Sequence, residues 1–250
     1  MRKEIETFFV IIVFLILPVS CSRKVLVPLE PEDEFERAVE FFNNKKFDTA
    51  AQSFERIIFY HAGSEFVDDA QFYLGRTYFE KKDYNQAIVE FDYLIKHFPN
   101  SPFVEAAYLY RAKATLFKAP GYDKDQNETK EAISLFDEFL TRFPNSRFTN
   151  EAKNYILFAR NRLAKKELEN GKLYVKLNEP SSAILYFKYV IDNYPETSSV
   201  AEAKYHLALI YEKNQNFDQA LSLYGELLED MNWRTKAEKR IKVIEKKKGR

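Results

Sequence analysis

Residues 68–101 read DDAQFYLGRTYFEKKDYNQAIVEFDYLIKHFPNS, and their spacing of small and aromatic residues indicates the fold. Gly75 and Ala87 are small, as two helices need where they cross in a hairpin. Tyr78 and Phe91 supply the rings that fill the space beside the crossing. Pro99 ends the second helix because proline has no backbone N–H to donate inside a helix. The stretch therefore predicts an antiparallel pair of α-helices.

The same arrangement of small and aromatic residues recurs before and after this stretch, so that the chain holds five copies. The corresponding residues are Ala38, Phe41, Ala50 and Phe54 in the first copy, Ala112, Ala132, Phe136 and Pro144 in the third, Gly171, Tyr174, Ala183, Phe187 and Pro195 in the fourth, and Leu207, Ala208, Tyr211, Ala220, Tyr224 and Leu227 in the fifth. A motif of about 34 residues with this spacing resembles the tetratricopeptide repeat. The resemblance implies an all-α fold, a right-handed superhelical solenoid of five helical hairpins plus a C-terminal capping helix.

The composition agrees with a folded helical protein. Hydrophobic residues make up 46% and charged residues 30% of the 250 residues, with six Gly, which excludes collagen-like and disordered chains. The formal net charge is zero, so charge alone predicts no nucleic-acid partner. The last segment, 234–250, is basic, with nine basic and two acidic residues. It is either a solvated terminal helix whose cations suit its C-terminal dipole or a surface for an anionic partner or lipid.

The first residues have the pattern of an export signal. Arg2 and Lys3 precede the apolar run FFVIIVFLIL, residues 8–17. Ten helical residues rise only about 15 Å, roughly half of the hydrocarbon core of a bilayer, so this run is too short to span a membrane. The segment favours export over insertion as a transmembrane helix.

The run ends in LPVSC, residues 17–21, which resembles a lipoprotein signal whose cysteine is acylated and becomes the first residue of the mature chain. Cys21 is the only cysteine, and lipidation explains a single thiol in an exported protein. Pro18 departs from the usual motif, which has Leu there. Ser22, where Asp would favour the inner membrane, implies the outer membrane by resemblance to bacterial lipoprotein sorting. The alternative is an uncleaved signal anchor with an incidental cysteine.

These signals divide the chain into segments. We predict a lipoprotein signal peptide over 1–20, a lipidated cysteine and tether over 21–33, and five repeats over 34–233. The repeats cover about 34–66, 67–101, 102–146, 147–198 and 199–232, and a basic helix follows over 234–250. Two irregularities interrupt the array: an inserted loop around 118–129 in the third repeat, and an extra helical stretch of roughly 149–165 that lengthens the first helix of the fourth hairpin.

A lipoprotein signal, a short tether and five such repeats with these two irregularities together resemble the BamD family. That family is the lipoprotein subunit of the machinery that inserts β-barrel proteins into the bacterial outer membrane. The resemblance implies docking to the periplasmic domains of the barrel-forming subunit, mostly through the C-terminal repeats. It also implies a groove in the N-terminal repeats that receives unfolded barrel precursors. The protein would then face the periplasm, held to the outer membrane by its lipid.

The first helix of each hairpin is expected to line the concave side of the solenoid. The candidate groove residues are Phe35, Phe42, Phe72, Arg76, Phe79, Lys113 and Phe117, with Val39, Leu109 and Leu116 in the same register. Such a wall suits an extended peptide with aromatic residues and a terminal carboxylate, with Arg76 or Lys113 as the charge partner. The alternative is that several of these rings close the core of the solenoid itself.

The sequence offers no reaction centre, and we predict a binding protein without catalytic residues, cofactor or metal. The three histidines, His61, His97 and His206, lie in different hairpins and lack a companion at ligand spacing. A lipoprotein hydrolase is the competing enzyme class. Among binding proteins, the competing assignment is another envelope tetratricopeptide lipoprotein that coordinates cell-wall synthesis or Tol-Pal function.

Overall fold

A computed structural model describes residues 29–249, so the predicted signal peptide and Cys21 lie outside the described residues. Within 29–249 the chain forms α-helices and one 3₁₀ helix, Leu227–Glu229, without strands. The helices are α1 Pro31–Asn43, α2 Phe47–Tyr60, α3 Val67–Glu80, α4 Tyr84–His97, α5 Val104–Lys118, α6 Asn127–Arg142, α7 Thr149–Lys176, α8 Pro180–Asn193, α9 Ser199–Lys213, α10 Phe217–Glu226 and α11 Arg234–Lys248. The predicted all-α class is confirmed.

Helices α1 to α10 pair in chain order into five hairpins, and small residues lie where the helices of a pair cross. A Cβ atom on Gly171 would lie 2.6 Å from Cε1 of Phe187, so the ring occupies the space that any side chain would need. Ala183, on the second helix of that hairpin, is completely buried. Small-against-ring packing therefore holds the hairpins together, as the repeat pattern predicts.

The connection within four of the hairpins is the same tight turn. Lys45, Lys82, Asn178 and Gln215 adopt φ between 57° and 63°, the left-handed region, in the first, second, fourth and fifth hairpins. The third hairpin has instead the predicted insertion, which the structure shows as residues 119–126 between α5 and α6. A left-handed residue costs about 1–2 kcal/mol, so its recurrence indicates that the turn geometry is needed to fold each second helix back.

The inserted loop and the elongated helix contact each other. The buried side chain of Gln126 donates to the carbonyl oxygens of Gly121 (2.7 Å) and Lys124 (3.2 Å), which closes the loop on itself. From α7, which has 28 residues, Lys166 donates to the carbonyl oxygen of Lys124 at 2.7 Å. Arg162, also on α7, reaches the carbonyl oxygen of Ala119 at 3.4 Å. The two irregularities seen in the sequence are therefore one structural feature.

The hairpins stack into a solenoid whose inner side is made by the first helices. Each first helix contacts the next one, α1 with α3, α3 with α5, α5 with α7 and α7 with α9. Within residues 29–249, consecutive second helices make no comparable contact. Because the first helices lie closer together, the array curves toward them, as in other repeat proteins.

The C-terminal helix α11 closes the last hairpin. Ala237 and Ile244 are fully buried against the fifth hairpin. Glu212 on α9, only 4% exposed, accepts a hydrogen bond from Nε of Arg240 at 2.8 Å and an ion pair from Lys247 at 3.4 Å. Part of the basic segment therefore neutralises a buried carboxylate and fastens the cap.

The start of the first hairpin differs from the predicted one. Helix α1 begins at Pro31, whereas the predicted tether runs to residue 33. Proline is favoured in the first turn because its fixed φ suits the helix and its missing N–H costs nothing there. Glu32, Asp33 and Glu34 complete an acidic first turn, which the helix dipole stabilises. Pro31, which lies inside the predicted tether, is thus the first residue of a helix.

Candidate functional site

The candidate site is the inner surface formed by α1, α3, α5 and α7, where rings and cations alternate. Phe79 on α3 contacts the ring of Phe117 on α5 edge-on at 5.9 Å between centroids. Phe117 in turn contacts Tyr155 on α7 at 5.8 Å. Phe117 is 37% exposed and Phe79 is half-buried, so both rings are accessible from the inner side.

The two predicted rings of the first hairpin are half-buried and lie on the same side. Phe42 contacts Tyr73 edge-on at 5.7 Å, and Phe35 contacts Tyr73 at the same distance. Phe35 also stacks on Phe66 at 5.5 Å. Tyr73 on α3 therefore joins the first hairpin to the second, and Phe35 and Phe42 serve both the packing and the surface.

Phe72 is not a surface residue. It is 5% exposed and stacks on Phe103 with ring centroids 4.6 Å apart, and it also meets Phe91 at 6.0 Å. Phe72 points toward α4 and the start of α5 because it lies on the side of α3 that closes the core between hairpins. The prediction of Phe72 as a groove residue is wrong, and the alternative of a core ring holds for it.

Of the two candidate cations, Arg76 and Lys113, Arg76 has the weaker ion pair. Its guanidinium lies 4.4 Å from the ring centroid of Tyr110 and 5.6 Å from that of Phe42. Its ion pair with Glu80 has a long N···O distance of 3.7 Å, and its Nε is buried without a hydrogen-bond partner among residues 29–249. Rings hold the guanidinium in place by cation–π attraction while leaving it able to accept an anion.

Lys113 already has its counter-ion. Its Nζ donates to Oε1 of Glu151 at 2.9 Å, and the residue is 8% exposed. Burial lowers the pKa of the Lys113 ammonium, but the hydrogen bond to Glu151 and the neighbouring Tyr110 and Tyr155 raise it, and the net shift is upward. Lys113 is therefore a cation at neutral pH whose charge is met inside the protein, which leaves Arg76 as the predicted partner for a ligand carboxylate.

Sequence reasoning missed Tyr110. Its ring lies between the two cations, 4.4 Å from the guanidinium of Arg76 and 4.4 Å from Nζ of Lys113. The signal was present in the repeats, because Tyr73 and Tyr110 precede the small residues Gly75 and Ala112 by the same interval. Of these two tyrosines, Tyr110 is the one on which both cations lie, whereas Tyr73 packs against the rings of Phe35 and Phe42.

Other chemistry is sparse in the described part of the chain. Residues 29–249 hold no group of three or more His, Cys, Asp or Glu side chains arranged to bind a metal. His206 packs flat against Phe187 at 5.5 Å, and burial lowers its pKa, although Glu202 opposes that shift. None of the helices in this range combines the length and apolar character needed to cross a bilayer.

Solved structures of other repeat proteins resemble this array. The array resembles the TPR2AB domain of yeast Sti1, solved as a complex with pHSP90, at a TM-score of 0.50 and 14% identity, covering 86% of this chain and 82% of that one. A TPR repeats protein from Bacteroides fragilis matches at a TM-score of 0.47 and 14% identity over 87% of this chain and 99% of that one. Comparison with the curated proteins found no match.

Stacked helical hairpins with an aromatic and cationic inner surface define a tetratricopeptide-repeat scaffold that binds other proteins. The chain belongs to the YfiO family, because the model of that family, described as an outer membrane lipoprotein, matches residues 29–225. This is the BamD family that the sequence resembles. Family membership makes the protein an outer membrane lipoprotein with a scaffold role.

Proposed function

We propose that this protein takes part in the assembly and insertion of β-barrel proteins into the outer membrane. It would be anchored through acylated Cys21, face the periplasm, and bind both the barrel-forming subunit and unfolded barrel precursors. Family membership over residues 29–225 is the observation that carries this proposal. The role is one of binding and recruitment, with no catalytic step.

The inner surface suits a particular kind of peptide. Phe42, Phe79 and Phe117 offer accessible apolar rings, and Arg76 offers a guanidinium whose ion pair with Glu80 is long. An extended chain that ends in an aromatic residue and a free carboxylate would place its ring among these side chains. Its carboxylate would accept charge-assisted hydrogen bonds from Arg76. The Sti1 repeat domain, itself in a complex with pHSP90, is another array of this fold that holds a partner.

The peptide site is tested by substitution of Arg76. Binding of a fluorescent peptide with a C-terminal Phe carboxylate should weaken about ten-fold in Arg76→Gln, since one charged hydrogen bond contributes roughly 1.5–3 kcal/mol. The matched control is Arg111→Gln. Arg111, on α5, also lies over a ring, Tyr108 at 4.8 Å, but it is already paired with Asp92 at 3.0 Å and Glu138 at 2.6 Å.

Arg111→Gln should leave peptide affinity unchanged, and amidation of the peptide C-terminus should weaken binding to the wild-type and Arg111→Gln proteins but not to Arg76→Gln. Equal affinities for the acid and the amide would overturn the role of Arg76. The cellular role is tested by purifying the lipidated protein from detergent-solubilised envelope. Co-purification of the barrel-forming subunit supports the proposal, whereas recovery of wall-synthesis or Tol-Pal factors alone would favour the competing envelope function.

A further inference from the structure

Two exposed rings lie side by side at the end of the first hairpin. Phe59 is 83% exposed and Tyr60 is 69% exposed, although both are aromatic and both lie on the last turn of α2. Their ring centroids are 5.8 Å apart in an edge-on arrangement. Neither ring belongs to the core cluster of the first hairpin, so the packing of the solenoid does not explain them.

The repeats themselves supply the comparison that makes this pair unusual. In the first four hairpins, the last buried residue of the second helix accepts a hydrogen bond from the C-cap N–H, which sets a common register at Ile57, Leu94, Phe139 and Val190. The two places after the next residue hold Phe59 and Tyr60 in the first hairpin. In the other three they hold Lys96 and His97, Thr141 and Arg142, and Asp192 and Asn193.

The fold thus accepts polar side chains at these places, and only the first of these four hairpins puts rings there. Replacing these exposed rings would remove few contacts inside the protein. Their presence therefore indicates a surface outside the protein that covers them.

The exposed pair lies close to Leu29, the first described residue after Cys21. Glu34 on α1, fully buried, accepts a hydrogen bond from the backbone N–H of Leu29 at 3.4 Å and from Nε of Arg56 at 3.1 Å. Arg56 in turn lines a surface depression together with Phe59 and Tyr60. The buried carboxylate thus ties the first described residue of the chain to the end of α2 that carries the rings.

Leu29 lies eight positions after Cys21, and even a fully extended chain of eight steps spans at most about 29 Å. A lipid on Cys21 would therefore hold this end of the solenoid near the bilayer surface. Aromatic side chains are favoured in the headgroup region of a bilayer, where the ring is partly removed from water and the hydroxyl of Tyr stays in contact with headgroups.

We propose that Phe59 and Tyr60 contact the lipid headgroup region of the membrane and, together with the lipid on Cys21, form a two-point attachment. The proposal rests on the lipidation in the proposed function. A single tether would leave the solenoid free to rotate, whereas a second contact sets which end of the array faces the bilayer. The inner surface would then be held at a constant orientation below the membrane.

The chain has one tryptophan, Trp233, which makes a direct test possible. Full-length lipidated protein carrying Trp233→Phe and Tyr60→Trp is reconstituted into phosphatidylcholine vesicles whose acyl chains are brominated near the headgroup. The matched control carries Trp233→Phe and Leu185→Trp. Leu185 lies on α8, the second helix of the fourth hairpin, and has the same exposed fraction of 69%.

Brominated lipid should reduce the tryptophan emission of the Tyr60→Trp protein about two-fold and should leave that of the Leu185→Trp protein nearly unchanged, because only the first position would lie at the depth of the quencher. Adding Phe59→Thr, the neutral residue that the third hairpin has in register, should reduce the quenching in the Tyr60→Trp protein. Raising the salt concentration should not, since the neighbouring Glu55 and Arg56 leave the depression without net charge.

Vesicle flotation separates the two ways in which the experiment can fail. If the Tyr60→Trp protein floats with the vesicles but its emission stays unquenched, or if both single-tryptophan proteins are quenched equally, the membrane contact is overturned and the lipid anchor still stands. That result would also favour a protein partner over Phe59 and Tyr60. The Cys21→Ser variant, which cannot be acylated, should not float. If the protein with Cys21 does not float either, the lipid anchor and this proposal are overturned together.

Discussion

Gly75 lies directly against the ring of Phe91, so that a Cβ atom on the glycine would come within 2.7 Å of Cε1 of the phenylalanine. Phe91 is completely buried and cannot move outward. The contact joins α3 to α4 in the second hairpin, and Gly171 and Phe187 repeat it in the fourth. This close approach is what the small residue of each repeat makes possible.

Gly75→Leu should therefore lower the free energy of unfolding by about 1–3 kcal/mol, as overpacking of a core does, measured by urea denaturation. Gly225→Leu is the control, because a Cβ there meets nothing within 4 Å. That variant should be neutral or more stable by up to about 1 kcal/mol, since leucine favours helix more than glycine does. Similar losses in the two variants would contradict the packing described for Gly75.

Truncation of Phe72 should mainly lower stability, whereas truncation of Phe117 should mainly lower peptide affinity. Phe72→Ala should lower the free energy of unfolding by about 3–5 kcal/mol, because it leaves a cavity beside Phe91 and Phe103. Phe117→Ala should cost less than about 1 kcal/mol, because this ring is 37% exposed. Peptide affinity, measured well below the melting temperature, should fall in Phe117→Ala. Unchanged affinity in that variant would exclude Phe117 from the groove.

Glu212 should control the docking of the C-terminal helix. Glu212→Gln removes a buried carboxylate that pairs with Arg240 and Lys247, and should lower stability by about 2 kcal/mol, the range for charged hydrogen bonds. Trp233 packs in the same cluster, so its fluorescence reports the loosening of α11. Asp218→Asn is the control: its side chain is 93% exposed, and its pair with Lys248 should contribute little. Equal effects would mean that burial of Glu212 does not matter.

His206 should make part of the stability depend on pH. Burial holds the pKa of His206 below its ordinary value, although Glu202 opposes the shift. The folded state therefore binds this proton less readily than the unfolded state. The contribution of neutral His206 to the free energy of unfolding is fully present above the unfolded pKa of about 6.5. It is lost as the pH falls from there through the lower folded pKa.

His206→Gln should accordingly lose less stability than the wild type when the pH is lowered from about 7.5 to about 5.5, a range that brackets the ordinary pKa of histidine. The measurement is urea denaturation of both proteins at the two pH values. An identical loss in the variant would show that His206 does not contribute to the acid sensitivity.

The repeat array was predictable because its cause is local. The small residue and the ring of one hairpin lie within about 34 residues and recur in all five copies, and a helix-ending proline recurs in three of them. The inserted loop and the long α7 showed as breaks in that spacing. Their contact through Lys166 and Lys124 did not, because it joins positions 42 residues apart.

The candidate groove was predictable only in part. Register placed Arg76, Phe79 and Phe72 together on one side of α3, and the structure buries Phe72. A helix face spans a range of directions, and whether a ring at its edge is covered depends on the neighbouring hairpin. Phe103 covers Phe72, and this contact cannot be predicted from the residue spacing of α3 alone.

The hairpin, its repetition, the capping helix and the family resemblance could be predicted from residue order, since these depend on side-chain size at short, regular intervals. Which cations already have a counter-ion depends on the packing of the hairpins, as in the pair of Lys113 with Glu151, 38 residues away. The same packing decides which rings remain uncovered, as at Phe59. Each of these depends on which surfaces of different hairpins come together, and stacking alone brings such distant residues into contact.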